Sequence, residues 1–133
     1  QVERMDRFWF WWWPFGRVSE IPAQELHALL HEGGPAPQML DVRTVAEWEA
    51  GHIAGTLNVP VTELGARLAA LELDPGRRVV AICRSARRSI PAVRLLQQHG
   101  FARACQLQGG MLAWQQAALP VAGAPVATSD SCN

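Results

Sequence analysis

Cysteine is scarce in this chain, with three among 133 residues, at Cys83, Cys105 and Cys132. No two of them have CxxC spacing and their number is odd, which excludes a disulfide-stapled framework and leaves at least one free thiol. Such usage fits a reducing compartment, so a cytoplasmic address is the expectation. The four histidines, His27, His31, His52 and His99, contain no HExxH signature, and no metal site is expected. Charge of one sign is missing too: 12 basic against 12 acidic residues give a formal net charge of zero. Global charge therefore points to neither nucleic acid nor an anionic membrane. No apolar run reaches the ~18 residues of a spanning helix. At this length one domain is expected, large enough to bury a core without metal or disulfide staples.

Aromatic residues are unevenly placed. Phe8, Trp9, Phe10, Trp11, Trp12, Trp13 and Phe15 hold seven of the ten aromatics in eight positions. The tract is too short to span a bilayer and lacks the small-residue cleavage site of a signal peptide. Two uses suit it: folding back over an apolar face of the domain, or anchoring the chain at a membrane–water boundary or on a partner. Residues 1–16 are therefore set apart as an aromatic-rich segment.

From Val18 onward, short apolar runs alternate with helical patterns. Ser19-Glu20-Ile21 reads as a strand, with Pro22 in the first turn of a helix that buries Leu26, Leu29 and Leu30. His27 and His31 fall on its flanks, and Gly33-Gly34-Pro35 ends it. Gln38 to Val42 reads as a buried strand. Thr44 caps a short helix, with Glu47 at capping-box spacing. Thr56 to Val59 is a short strand stopped by Pro60, and Thr62 opens a helix carrying Leu64, Leu68 and Leu71. Asp74-Pro75-Gly76 is a turn. Arg78 to Ile82 is the central strand, apolar throughout, as when both sheet faces are covered. A helix follows to about His99, stopped at Gly100. Ala102 to Leu107 is a further strand, and Gly109-Gly110 leads into a short helix through Trp114. Alternating strands and helices imply an α/β layer fold with a mostly parallel sheet. The domain is bounded at 17–121, and the Pro, Ala, Gly and Ser-rich residues 122–133 read as a flexible tail.

The chemistry concentrates after the central strand. Cys83-Arg84-Ser85-Ala86-Arg87-Arg88-Ser89 places a thiol at a strand end, three arginines beside it and a helix start beyond them. Ligands in open parallel sheets bind beyond the carboxyl ends of the strands. Fixed cations and helix N-terminal amides stabilise a thiolate and attract a small oxyanion. Two chemistries remain open to such a loop: taking sulfur from a sulfur oxyanion, or taking phosphoryl from a phosphoester. Cys105, in a strand with Arg103 as its basic neighbour, reads as a packed core thiol, and Cys132 as an exposed one.

Four stretches in order resemble the single-domain rhodaneses, thiosulfate or persulfide sulfurtransferases. They are Leu40-Asp41-Val42-Arg43 with Glu47-Trp48, then Gly51-His52-Ile53-Ala54-Gly55-Thr56-Leu57-Asn58-Val59-Pro60, the loop Cys83 to Ser89, and Leu107-Gln108-Gly109-Gly110-Met111-Leu112-Ala113-Trp114. The resemblance covers residues 18–121. It implies a three-layer fold with a central mostly parallel sheet and helices on both faces. It implies that Cys83 accepts sulfane sulfur as a persulfide and passes it to cyanide, a thiol or a protein acceptor, with no cofactor. The loop from Arg84 through Ser85, Ala86, Arg87 and Arg88 to Ser89 would cradle the substrate, with Arg84 and Arg88 holding the anion and Arg87 steering it. Asp41, Arg43 and His52 would be framework residues.

Loop length separates the chemistries within that superfamily. Sulfurtransferases have a six-residue loop, here Cys83 to Arg88; related phosphatases have one residue more and an arginine where this chain has Ser89. Sulfur transfer is therefore expected over phosphatase action. The alternative of another class is a rhodanese-like binding or regulatory module, which the retained cysteine disfavours. Many relatives have glycine at the position of Ala86, so a positive φ there would cost about 1–2 kcal/mol.

Overall fold

The computed structural model describes residues 18–123. Both segments set apart from the domain, residues 1–16 and, beyond position 123, the tail, lie outside the described residues. Five strands form one parallel sheet: β1 (Glu20–Ile21), β2 (Gln38–Asp41), β3 (Leu57–Asn58), β4 (Val79–Ile82) and β5 (Ala104–Leu107), in the order β1-β5-β4-β2-β3. The helices are α1 (Ala23–Leu30), α2 (Val45–Ala50), α3 (Val61–Arg67, continued by a 3₁₀ turn at Leu68–Ala70), α4 (Ser89–Gln98) and α5 (Gly110–Gln116). Among the described residues no helix is long and apolar enough to cross a membrane.

The period-two alternation of a strand divides the core in two. On one face Val79, Ala81, Cys83 and Ala104 pack with Leu64 of α3, Leu68 of the turn that continues it, and Ala92, Val93 and Leu96 of α4. On the other, Val80, Ile82, Cys105 and Leu107 pack with Ala23 and Leu26 of α1 and with Met111 and Trp114 of α5. This is the expected α/β sandwich, with helices on both faces of a parallel sheet. β4 lies at its centre and all four of its residues are buried, which is why it reads as an unbroken apolar run.

Local boundaries differ from the sequence reading in small ways with clear causes. Pro22 stands one residue before α1 with an extended ψ of 151°, because proline suits a helix entrance but not its hydrogen-bonded interior. The helix expected from Thr62 starts at Val61 and tightens into a 3₁₀ turn before Leu71. The last residues of the domain and Ala122, the first residue expected in the tail, are docked. Pro120 accepts a hydrogen bond from Trp114 Nε1 (2.8 Å), and Ala122 pairs with His52 in an isolated antiparallel bridge.

Two polar clusters brace the ends of the strands. Thr44 and Glu47 form the capping box at the start of α2. Before it, Asp41 is fully buried and Arg43 nearly so; the guanidinium donates to both carboxylate oxygens (Nε to Oδ1 3.0 Å, Nη2 to Oδ2 2.9 Å) and to the carbonyl of Gly51 (2.8 Å). Asn58 Nδ2 donates to the carbonyls of Asp41 and Arg43 and so ties β3 to the same corner. His52 stacks on Trp48 at 3.8 Å, and its Nδ1 donates to the Trp48 carbonyl.

Removing one member of a buried ion pair leaves the other charge uncompensated. Asp41→Ala is expected to lose about 3–5 kcal/mol of unfolding free energy in urea titrations. Arg67→Ala, which removes the exposed pair with Glu63, is expected to change it by less than about 0.5 kcal/mol. Equal losses in the two variants would contradict this reading of the corner.

Candidate active site

Cys83 follows the last residue of β4 and is 1% exposed. Burial alone does not distinguish it from Cys105, which is buried in the opposite core; their surroundings do. Burial pushes the Cys105 thiol up, and Arg78 opposes this only in part. A cleft of about 220 Å³ near Cys105, lined also by Ser19, Glu25 and Arg103, lies on the β1–β5 side of the sheet and does not include Cys83. The Sγ of Cys83 instead lies 3.4 Å from Ser89 Oγ, across a loop that curls from Arg84 to Arg88.

The loop is held from one side. Its base carbonyls are occupied: Cys83 O accepts from Met111 N (2.8 Å) and Arg84 O from Leu112 N (3.0 Å), both in the first turn of α5. Gly110 permits this approach. It has φ +62°, and a Cβ there would collide with the carbonyl oxygens of Cys83 and Arg84. The Gly-Gly pair, expected as a turn, therefore also docks α5 on the loop. The backbone N–H groups of Arg84, Ser85, Ala86, Arg87 and Arg88 find no acceptor among the described residues. Successive donors of this kind about a left-handed residue form an anion-binding nest.

That left-handed residue is Ala86, at φ +70°. Only two non-glycine residues among those described have positive φ, the other being Ala118. The methyl group at 86 is thus strained, which answers the question that the absent glycine raised.

The three loop arginines differ in placement. Arg84 and Arg87 are exposed. Arg88, expected to hold an anion, has both terminal nitrogens on Glu47 (Nη1 to Oε1 2.7 Å, Nη2 to Oε2 2.9 Å). Its charge is committed to α2, so in this state it anchors the far end of the loop. The bond to Arg88 is the chief cause that lowers the Glu47 carboxyl from 4.5 to about 2, with help from Thr44 and against the opposing effect of partial burial. Ser89 opens α4 and is fully buried; its hydroxyl donates to Gln106 Oε1 (2.6 Å).

Sequence reading missed two partners of this site. Glu47 was visible as a cap but not as the carboxylate that receives Arg88, 41 positions away. Gln106 has a weak local signal, a lone amide in an otherwise apolar strand. His27 and His31 do have the four-residue spacing of a helical chelating pair, which the expectation of no metal site passed over. Their rings lie 4.3 Å apart, but no group of three His, Cys, Asp or Glu is placed to hold a metal among the described residues.

Two outcomes are expected. Ala86→Gly relieves the left-handed strain of about 1–2 kcal/mol and loses about 0.4–1 kcal/mol to unfolded-chain entropy, so calorimetry should show a net gain of about 0.5–1 kcal/mol. Because the folded-state value of Glu47 is depressed, its contribution is complete above pH 4.5 and disappears as pH falls toward about 2. Glu47→Gln should therefore flatten the stability–pH curve in that window, read by urea titration at fixed pH values; an unchanged slope would remove the Arg88 link.

Comparison with known proteins agrees with this architecture. The family model described as "Rhodanese-like domain" matches residues 22–117. An HTH-type transcriptional regulator of Mycobacterium tuberculosis is 44% identical over 95 residues, covering 69% of this chain and 41% of the regulator. A sulfurtransferase of Allochromatium vinosum is 35% identical over 104 residues, covering 78% of this chain and 94% of the relative. The chain thus spans less than half the length of the first relative and nearly all of the second. The crystal structure of a rhodanese-related protein from Thermoplasma volcanium superposes with a TM-score of 0.70 at 31% identity, covering 79% of this chain and 98% of that one. With nearly a hundred matched residues, and with the strand-end cysteine and its loop inside that match, the chain belongs to the rhodanese-like domain family.

Proposed function

We propose that this protein is a sulfurtransferase that carries sulfane sulfur on Cys83. The observation that carries the reading is a thiol at the end of the central strand, in a six-residue loop whose amides find no acceptor among the described residues and whose two base carbonyls, of Cys83 and Arg84, are held by α5. The relative from Allochromatium vinosum is named a sulfurtransferase, and a structural neighbour from Pseudomonas aeruginosa, with a TM-score of 0.71 and 29% identity over 81% of this chain but only 21% of that one, is named a thiosulfate sulfurtransferase.

The reaction balances without a cofactor. The Cys83 thiolate attacks the outer sulfur of thiosulfate. The sulfur–sulfur bond of thiosulfate breaks, and its electron pair leaves on sulfite. Cys83 then holds a persulfide whose terminal sulfur carries the negative charge, and the loop amides from Arg84 to Arg88 stabilise that charge. A thiol, cyanide or a protein acceptor attacks the terminal sulfur, and the Cys83 thiolate departs. Arg84 and Arg87, exposed on the outer side, attract the incoming oxyanion. A persulfide donor enters the same cycle with a thiolate leaving in place of sulfite.

A second reading is favoured by one observation: the relative with 44% identity is a transcriptional regulator, in which the corresponding region is a part of a longer chain. On that reading the loop binds a ligand or partner and transfers nothing.

Thiosulfate treatment followed by intact-mass analysis separates the two. One sulfur, about 32 Da, should be added to the wild type and not to Cys83→Ser, with loss of the adduct on addition of cyanide. Arg84→Ala should lower kcat/KM for thiosulfate by roughly 10-fold, the loss of one charge-assisted hydrogen bond. Absence of the adduct supports the module, and hydrolysis of aryl phosphates in its place supports a phosphatase.

A further inference from the structure

β5 is buried throughout, yet one of its residues, Gln106, is an amide that is only 3% exposed. It stands beside Ala81 in the β4–β5 register, two residues before Cys83 and on the same face of the sheet. Its Nε2 donates to Glu20 Oε2 (2.8 Å). A carboxylate only accepts, so this bond fixes the orientation of the amide and turns Oε1 toward Ser89. Ser89 has one hydroxyl proton, and it is spent on that oxygen at 2.6 Å. Toward Cys83 the Ser89 oxygen therefore presents a lone pair, and the 3.4 Å contact is one in which the thiol donates.

We propose that Gln106, held by Glu20, is a positioning residue that sets the direction of the hydrogen bond at the Cys83 sulfur. In the resting state it draws the Ser89 proton away from the sulfur. When the thiol loses its proton to solvent, the Ser89 O–H breaks its bond to Gln106 Oε1 and donates to the sulfur anion, leaving a buried amide oxygen unpaired. Once the terminal sulfur has been added, the charge sits one atom further out. Ser89 then returns its proton to Gln106. The chain Glu20–Gln106–Ser89 thus works against charge on the cysteine sulfur itself and favours charge on the outer sulfur, beneath the loop. The inference rests on Cys83 as the reacting group of the proposed function.

Other charges surround the sulfur. Arg88 senses both Cys83 and Asp41, Glu47 neutralises Arg88 from α2, and Arg43 neutralises Asp41 from β2. Arg84 and Arg87 lie on the outer side of the loop; α4 brings Arg94, more than a turn beyond Ser89, and α5 has no charged residue. None of these is altered by a change at Gln106.

The test is the pH profile of Cys83 alkylation by iodoacetamide in the full chain, resolved by peptide mass so that Cys105 and Cys132 are read separately. Gln106→Leu frees the Ser89 proton for the sulfur, and the midpoint should fall by about one pH unit, the reach of one hydrogen bond to a charged group. Ser89→Ala removes that donor, and the midpoint should rise by a similar amount. The double variant should match Ser89→Ala, because Gln106 acts only through Ser89. Glu20→Ala, at an exposed position, should shift the midpoint in the same direction as Gln106→Leu but less, and it carries the test if urea titration shows that Gln106→Leu does not fold. A midpoint that rises or stays fixed in Gln106→Leu, or a downward shift that persists with alanine at 89, overturns the proposal. Alkylation does not require sulfur transfer, so a missing thiosulfate adduct with these shifts intact would sink the functional reading and leave this inference standing.

Discussion

The contact between the first turn of α5 and the carbonyls of Cys83 and Arg84 is the constraint on which the site depends. A tight loop has as many backbone acceptors as donors, and left to itself it would pair some of each. Here two acceptors at its base are claimed from outside, by Met111 and Leu112, while five consecutive donors find no acceptor among the described residues. The asymmetry makes the loop electropositive even before its arginines are considered. Gly110 permits it, since any side chain there would push α5 off the loop.

The same loop is tethered at its other end by charge. Arg88 reaches Glu47, and Glu47 belongs to a capping box, so the loop, α2 and the end of β2 form one braced unit with the Asp41–Arg43 pair beneath it. Within that frame Ala86 is the point of stored strain, a left-handed residue with a methyl group. The sulfur sits below on a separate polar line, through Ser89 and Gln106 to Glu20. The charges above come from the loop and α2, while the amide below comes from β5.

Much of the fold was legible in the chain. Val79 to Ile82 is apolar because both faces of β4 are covered, and Thr44 with Glu47 marks the start of α2 by a local rule of hydrogen bonding. Asp41 and Arg43, expected as framework residues, do form a buried pair. Less was legible at the site. That Arg88 belongs to Glu47, and that Pro120 and Ala122 are docked rather than loose, are facts of long-range contact with no signature in the intervening residues.

By itself, the sequence determined the alternation of strands and helices and the strand-end cysteine, because periodicity, caps and turn residues act over a few neighbours; the placing of helices on both faces of the sheet came from the family resemblance. Only the tertiary structure decided the sign of φ at Ala86, the commitment of Arg88, the docking of Gly110 and the direction of the hydrogen bond at Cys83. Each of these is settled by an atom from another strand or helix. A residue's chemistry is written in the chain, but which donor faces which acceptor is set only when the sheet brings them within 3 or 4 Å.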